Sequence, residues 1–169
     1  HPSFERHDYI GWNYRMSELN CAVALAQTER AEELINPRKE AAKIFKEAIK
    51  GYDWFKEQFV GLEYESSYWA FACKLDTDHI SWDVFRSEFL KRGGDKYYGA
   101  WQLTYLEPLF RDKLFRQRSG FIKSEYKNGL CPNAEIIQPQ LKQFKTNYTN
   151  KQDVIKQAEI LKDTLDYFD

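Results

Sequence analysis

Apolar and polar residues recur along the chain with periods that predict helices joined to a few short strands. The first predicted helix covers residues 17–34, where Ser17 is a favoured N-cap and a run of small or apolar residues extends from Cys21 to Ala26. A helix that is apolar on more than one face is normally buried on more than one side. We therefore expect this helix to dock against something outside the rest of the domain.

The second predicted helix begins at Asn36–Pro37, because asparagine is a good N-cap and proline suits the first helical turn. Its apolar residues recur every three or four positions, while its opposite face is rich in lysine, which predicts one buried and one solvated face. The apolar stripe consists of Ala41, Ile44, Phe45, Ala48, Tyr52 and Phe55.

The rest of the chain mixes predicted strands and helices. Residues 68–75 are aromatic-rich and largely apolar, which predicts a short strand covered on both faces. The other predictions are a helix over 81–92 closed by Gly93–Gly94, a short strand at 96–98, loop with short helical turns over 99–129, a helical turn from Cys131, an edge strand over 141–146 that follows Pro139, and a last helix from Asn150.

This order of elements predicts an α+β fold. We expect a small antiparallel or mixed sheet with helices on one face, preceded by a loop and a buried helix. The predicted division is therefore residues 1–36, loop and buried helix, and residues 37–169, a small α+β domain.

The composition of the chain argues against a nucleic-acid-binding protein, a membrane-spanning protein and a metal-binding protein. The chain has 25 basic and 26 acidic residues and a net charge of -1, which argues against a nucleic-acid-binding surface. No apolar run approaches the roughly 20 residues needed to cross a membrane. The cysteines Cys21, Cys73 and Cys131 are odd in number and widely spaced, as in the reduced thiols of a cytoplasmic protein. Three histidines and no Cys-x-x-Cys make a metal site unexpected.

Spacing alone assembles no catalytic set, and the most informative stretch is the loop before the first helix. Asn13 and Arg15 lie just upstream of the positive end of that helix, where side-chain and backbone donors can converge on an anion. An ordinary buried helix with a solvated loop before it fits the same pattern. The residues alone leave both interpretations open.

A longer motif favours the anion site. The chain carries Gly-x-Asn-x-Arg-Met-Ser at residues 11–17, then Ala22, and then Leu-Ala-Gln-Thr-Glu-Arg at residues 25–30. This pattern resembles the signature of the DegT/DnrJ/EryC1/StrS sugar aminotransferases, which are fold-type I enzymes that use pyridoxal phosphate (PLP). Further segments similar to that family are 67–71, 93–108, 130–135 and 138–148.

The resemblance implies roles for particular residues. Asn13 matches an asparagine that reaches across the dimer to the PLP phosphate of the neighbouring subunit. Arg15 matches an arginine near the same pocket, suited to the carboxylate of the amino donor. The alternatives for Arg15 are contact with the sugar phosphates and an ion pair at the helix start or on the surface. Tyr97, Trp101 and Tyr105 match the substrate-facing region of one subgroup, where aromatic rings stack on bases and sugars. Core packing is the alternative for these three rings.

The resemblance also implies that the chain is the C-terminal part of a larger homodimeric enzyme. Residues 1–36 would then belong to the interface with the large domain and the second subunit, and residues 37–169 to the small domain. The lysine that binds PLP precedes the Gly-x-Asn-x-Arg motif in the family, and none of the lysines here matches it. This chain alone is therefore expected to be inactive.

The implied activity is transfer of an amino group, expected from glutamate, to a nucleotide-linked keto-sugar. The cofactor would be PLP, converted to its aminated form PMP during turnover. Three alternatives remain open: a PMP-dependent sugar dehydratase of the same family, a non-catalytic domain that binds a sugar nucleotide or a partner chain, and an unrelated α+β domain.

Overall fold

The computed structural model describes residues 14–96, 98–112 and 125–169. The chain separates into two compact units, His1–Leu34 and Ile35–Asp169. Within the described residues no helix combines the length and the apolar character that a membrane span requires.

The first unit is dominated by helix α1, Glu18–Glu29. The predicted cap is confirmed, since Ser17 Oγ accepts a hydrogen bond from the N–H of Asn20 at 3.4 Å. None of the α1 residues is buried in this chain, and the side chain of Leu19 is 82 % exposed. The expectation that α1 docks against another surface therefore stays a prediction.

The predicted end of the first helix at residue 34 and the predicted start of the second at Pro37 are both wrong. The chain turns at Arg30, with φ −103° and ψ 10°, and helix α2 then runs over Ala31–Ala48 with Pro37 inside it. Proline lacks the N–H that would bond to the carbonyl four residues earlier, so it is normally a helix breaker. Here the buried stripe beyond Pro37 keeps the helix continuous, because tertiary packing outweighs local propensity.

The apolar stripe of α2 is shorter than predicted. The helix ends at Ala48, and Gly51 with φ +102° takes a left-handed conformation that a side chain would strain. Phe55 is therefore not helical and instead begins strand β1, Phe55–Glu57, where it is fully buried. A three-residue strand gives too short a pattern to detect in the sequence.

A small antiparallel sheet forms the centre of the second unit. It contains β1, β2 (Ala70–Leu75), β3 (Tyr98–Gly99) and β4 (Leu141–Lys145) in the order β1-β2-β4-β3. All described pairs are antiparallel. The predicted fold class, α+β with a small sheet, is confirmed.

Two details of the sheet differ from the sequence prediction. Burial alternates along β2, so only one face of that strand is fully covered, and the expected two-sided covering is wrong. Strand β4 lies between β2 and β3 and not at the edge. Pro139 does not prevent this, because it lies in a 3-10 turn, Gln138–Gln140, that ends before the ladder begins.

The helices that follow begin and end close to the predicted residues. Helix α3 is Trp82–Lys91 and is capped by Ser81, whose Oγ accepts from the N–H of Val84 at 3.3 Å. Gly93, at φ +90°, supplies the expected left-handed C-cap. The described elements that remain are a 3-10 turn at Thr104–Leu106, α4 (Pro108–Arg111), α5 (Pro132–Ile137) and α6 (Lys151–Phe168).

The core is an aromatic layer between one face of the sheet and the helices. The ring of Phe45 on α2 lies 5.6 Å from both Phe71 and Phe144, which are partners on β2 and β4. On the other side of the layer, Phe85 of α3 stacks on Phe55 of β1 at 5.3 Å. Such ring pairs add specific geometry to the burial of large apolar surfaces.

One charged residue interrupts this face of the sheet. Lys142 of β4 lies opposite Cys73 and has no exposed surface. Its ammonium donates a hydrogen bond to the carbonyl of Gln140 at 3.3 Å and lies 5.2 Å from the centre of the Trp82 ring. Burial lowers the pKa of Lys142 to about 7, and the nearby Asp83 carboxylate opposes the shift.

Candidate functional site

The predicted anion site lies at the beginning of α1. Tyr14 and Arg15 are exposed and precede Ser17, while Asn13 lies outside the described residues. The Arg15 guanidinium and the first backbone N–H groups of α1 are donors suited to one phosphate or carboxylate. Glu18 in the first turn of α1 adds one negative charge there.

This donor set fits a supporting role toward a phosphate-bearing cofactor. PLP needs donors for its phosphate and a lysine for covalent attachment. Residues 14–36 contain arginine and helix-end donors but no lysine. The described part of the first unit can therefore help to hold such a group and does not itself supply a covalent anchor.

A second candidate site lies within the second unit, as a groove beside α3. It encloses a cavity of about 470 Å³. The groove, as we use the word below, is lined by Trp82, Asp83, Arg86, Gly99, Ala100, Trp101, Gln138 and Pro139.

The inner wall of the groove is the indole of Trp82. Its Nε1 donates to the carbonyl of Leu141 at 3.2 Å, which fixes the ring against the sheet. A Cβ on Gly99 would lie 3.1 Å from Cζ2 of Trp82, so glycine lets β3 approach the indole closely. One helical turn along α3, the Arg86 guanidinium lies 5.6 Å from the same ring.

The outer rim of the groove carries Trp101. Its indole is 81 % exposed, whereas its backbone is held by Gln138, whose Nε2 donates to the Trp101 carbonyl at 3.0 Å. The structure thus places the predicted residue Trp101 on the wall of a cavity. Its role in substrate binding stays a prediction.

Tyr105 lies in a different environment from Trp101. Its hydroxyl donates to the Glu135 carboxylate, which also accepts the N–H groups of Gly129 at 2.8 Å and Cys131 at 3.2 Å. Burial raises the pKa of Tyr105 to about 12, with Glu135 adding to the shift, and the same hydrogen bond lowers the pKa of Glu135. The Tyr105 hydroxyl therefore connects the 3-10 turn Thr104–Leu106 to α5, and a substrate role for Tyr105 rests on the resemblance alone. The other predicted ring, Tyr97, lies outside the described residues.

Sequence reasoning missed most of the groove. Of the residues that line it, only Trp101 has a role predicted from the sequence, and Trp82 and Arg86 are predicted only as part of a helix. One signal was present, since Trp82 and Arg86 are four residues apart on a predicted helix and so lie one above the other. The approach of β3 and of Gln138 depends on the tertiary fold and has no local signature.

No metal centre is evident in the part of the chain that the structure describes. Within residues 14–96, 98–112 and 125–169 no three His, Cys, Asp or Glu side chains cluster as metal ligands would. All three cysteines are free, with Cys73 buried and Cys21 and Cys131 exposed.

The sequence is similar to a known protein family and to individual members of it. The family model of the DegT/DnrJ/EryC1/StrS aminotransferase family matches residues 2–157. GDP-perosamine synthase of Escherichia coli O157:H7 is 46% identical over 43 residues, which are 25% of this chain and 12% of that protein. The putative pyridoxal phosphate-dependent aminotransferase EpsN of Bacillus subtilis (strain 168) is 26% identical over 132 residues, 75% of this chain and 33% of that protein.

Solved structures share the fold. Helicobacter pylori PseC, an aminotransferase of pseudoaminic acid biosynthesis, matches with a TM-score of 0.64 and 20% identity, over 98% of this chain and 42% of that one. S. venezuelae DesV, solved in complex with a ketimine intermediate, matches with a TM-score of 0.72 and 15% identity, over 95% of this chain and 39% of that one. The chain spans less than half the length of each of these relatives.

Proposed function

Since the chain belongs to the DegT/DnrJ/EryC1/StrS aminotransferase family, we propose that it is the C-terminal part of a PLP-dependent sugar aminotransferase. The enzyme would transfer an amino group from an amino acid, expected to be glutamate, to a nucleotide-linked keto-sugar. The observation that carries the proposal is the family match over residues 2–157, which includes the motif from Gly11 to Arg30.

The relatives support the choice of substrate class. GDP-perosamine synthase and PseC are named for products or pathways of amino sugars, and both match this chain. A sugar linked to a nucleotide presents a diphosphate, a base and a carbonyl carbon to the protein.

In this proposal the beginning of α1 supports the cofactor. PLP, when bound, stabilises negative charge at the carbon next to the amino group and carries that group between donor and acceptor. Asn13 donates an uncharged hydrogen bond to the cofactor phosphate of the second subunit. Arg15, exposed beside the helix end, binds the carboxylate of the amino donor through two parallel N–H donors and so orients it.

The exposure of α1 supports the second part of the proposal, that residues 1–36 meet the large domain and the second subunit of a homodimer. The apolar side chains of Leu19, Val23 and Leu25 are all more than half exposed in this chain. Several large apolar side chains exposed on one helix are consistent with an interface. The small residues between them would let another element approach closely.

The role of Arg15 can be tested by steady-state kinetics on the enzyme that carries this chain. With glutamate and a nucleotide-linked keto-sugar, Arg15→Ala should raise KM for glutamate about tenfold or more, because a charge-assisted pair is lost. Arg15→Lys should restore part of the loss, and Arg30→Ala, which removes an exposed arginine paired with Glu33, is the matched control. If the enzyme dehydrates the sugar and transfers no amino group to it, the aminotransferase proposal fails and the dehydratase alternative replaces it.

The role of Asn13 gives a separate prediction. Asn13→Ala should weaken PLP binding by ~1–3 kcal/mol, since a buried phosphate oxygen would lose its donor. Titration of the apoenzyme with PLP, followed by absorbance, measures this directly. Asn20→Ala removes another asparagine of the same unit, and PLP affinity equal in the two variants would remove the assignment of Asn13.

A further inference from the structure

The backbone of Tyr68 takes a strained conformation where the chain enters β2. Its φ is +49°, a left-handed value that residues with a large side chain adopt only at a cost in free energy. Among the described residues no other residue except glycine has a positive φ. Strain of this kind persists only where the surrounding structure holds it, and it is concentrated where a protein has a functional need for it.

The left-handed turn reverses which side chain faces the core. In β2 the odd-numbered residues, Phe71 to Leu75, are buried and the even-numbered ones are not. An extended backbone would continue this alternation and place Trp69 in the core and Tyr68 outside. Instead the Tyr68 ring packs against the core, 6.4 Å from the ring of Phe71, and the Trp69 side chain is 75 % exposed. The strain therefore turns an indole out of the core into solvent.

Hydrogen bonds with three side chains hold the turn in this conformation. The hydroxyl of Thr146, which is fully buried just after β4, donates to the carbonyl of Tyr68 at 2.6 Å. Arg38 of α2 donates through Nη1 to the Trp69 carbonyl at 3.1 Å and to Thr146 Oγ1 at 3.2 Å. Before the turn, Ser66 Oγ accepts from the N–H of Tyr68 at 3.1 Å. The outward direction of Trp69 is thus fixed by the fold.

The segment that joins β1 to β2 adds further exposed apolar side chains. Phe59, Leu62 and Tyr64 are all more than two-thirds exposed. Within the described residues both hydrogen bonds of Arg38 leave from Nη1, so Nε and Nη2 remain as donors. We call these four residues together with Trp69 the Trp69 surface. Tryptophan, tyrosine and arginine are enriched at the energetic centres of protein interfaces, so this surface is suited to bind protein.

The length of the relatives indicates which protein covers it. This chain matches 42% of PseC and 39% of DesV, so both are more than twice as long as the part that is matched. Under the proposed function a domain-sized part of the polypeptide therefore precedes residue 1. An exposed apolar surface promotes aggregation unless it is permanently covered. A covalently joined domain covers it at every protein concentration, whereas a second copy of the chain would leave it on dilution.

We propose that the Trp69 surface is the docking site on the second unit for the large domain that precedes this chain in the complete enzyme. Trp69 is its central anchor, and Arg38 and Thr146 keep the Tyr68 turn in the conformation that presents the indole. The assignment rests on the proposed function for the existence of the preceding domain. It adds contact residues that lie outside residues 1–36.

Photo-crosslinking of the complete enzyme tests the assignment. With p-benzoylphenylalanine in place of Trp69, ultraviolet light should join position 69 to a residue that precedes residue 1 of the same polypeptide. The product should keep the mass of one subunit on a denaturing gel, and peptide mass mapping identifies the joined residue. The control carries p-benzoylphenylalanine in place of Tyr167, which is exposed on α6, and should give several-fold less of this product.

Variants of the turn test how Trp69 is presented. Thr146→Val removes the hydroxyl and nearly keeps the shape of the side chain, and Arg38→Ala removes the guanidinium. Each should lower the yield of the cross-link from position 69 several-fold, because the outward direction of that residue is no longer held. The matched control is Thr164→Val, which removes another buried hydroxyl, bonded to the Ile160 carbonyl within α6, and should leave the yield unchanged.

The results that would overturn the assignment are distinct. A cross-link that joins two subunits would make a second copy the occupant, and a cross-link within these 169 residues, none at all, or equal yields at positions 69 and 167 would also exclude docking of the large domain. Equal losses in Thr146→Val and Thr164→Val would exclude the role of the turn. Circular dichroism checks the folding of each variant, and Arg38→Ala decides if Thr146→Val does not fold.

The docking assignment and the proposed function fail separately. An enzyme that transfers amino groups to the keto-sugar but gives no cross-link from position 69 to the preceding domain would refute the docking assignment alone. The expected cross-link in an enzyme that transfers no amino group would refute the proposed function alone. The intact mass of the enzyme shows independently whether a domain precedes residue 1.

Discussion

Phe85→Ala is expected to reduce the free energy of unfolding by about 3–5 kcal/mol, the usual cost of deleting a buried phenyl ring. Phe85 has no exposed surface and connects three elements of the core. Its ring stacks on Phe55 of β1 at 5.3 Å, meets Trp54 edge-on at 6.4 Å, and lies 6.3 Å from Phe168 of α6. A helix, a strand and the last helix would all lose contacts at once.

Urea unfolding followed by circular dichroism measures this effect. The matched control is Val84→Ala, on the same turn of α3 but 51 % exposed, which should cost well under 1 kcal/mol. Phe85→Leu should fall between the two, because it retains part of the buried volume. Equal losses for Phe85→Ala and Val84→Ala would contradict the placement of α3 on the sheet.

Lys142→Met is expected to stabilise the protein by about 1–4 kcal/mol at pH 6, because an unexposed ammonium is replaced by an apolar side chain of similar length. The single hydrogen bond of Lys142, to the Gln140 carbonyl at 3.3 Å, and its approach to the Trp82 ring offset only part of the desolvation cost. No carboxylate forms an ion pair with it among the described residues.

The same substitution should change the pH dependence of stability. Burial lowers the pKa of Lys142 from its ordinary 10.5 to about 7 in the folded state. Between these two values the unfolded chain binds the proton and the folded chain does not, so wild-type stability rises with pH by at most about 1.4 kcal/mol per unit. Lys142→Met removes this component, and its advantage over wild type should shrink from pH 6 to pH 9.

Unfolding in urea at pH 6, 7, 8 and 9 gives the difference between wild type and variant, in which other titrating groups cancel. Lys74→Met is the control, since Lys74 lies on β2 with its side chain exposed. Two results would show that the Lys142 ammonium is not desolvated. One is a Lys142→Met variant less stable than wild type at pH 6, and the other is a difference in the free energy of unfolding that does not change with pH.

Much of the fold follows from local rules of sequence. Ser17 caps α1 as predicted, α3 and α6 begin where the sequence predicted helices from Ser81 and Asn150, and Gly93 ends α3. The prediction failed where packing overrides local preference, as at Pro37 inside α2. It also failed at β1, because three residues cannot show a period.

The sites were less accessible to sequence reasoning. The motif around Arg15 was found because a contiguous signature carries it, whereas the groove joins residues from α3, β3 and the turn before β4. From the sequence, Trp101 was predicted as a candidate through the family-like segment 93–108, and the four-residue spacing of Trp82 and Arg86 was the other visible signal. Tyr105 shows that a motif can also suggest a role that the fold explains otherwise, because its hydroxyl is hydrogen-bonded to Glu135 within the chain.

The proposed function is tested most directly by borohydride reduction of the enzyme that carries this chain, followed by absorbance and peptide mass mapping. We expect a visible PLP absorption band that borohydride abolishes, with the reduced cofactor fixed to a lysine that precedes Gly11. Cofactor fixed to one of the lysines within these 169 residues would contradict the assignment of this chain to the C-terminal part. If the enzyme transfers amino groups but shows no PLP band, the assignment of PLP as its cofactor is wrong.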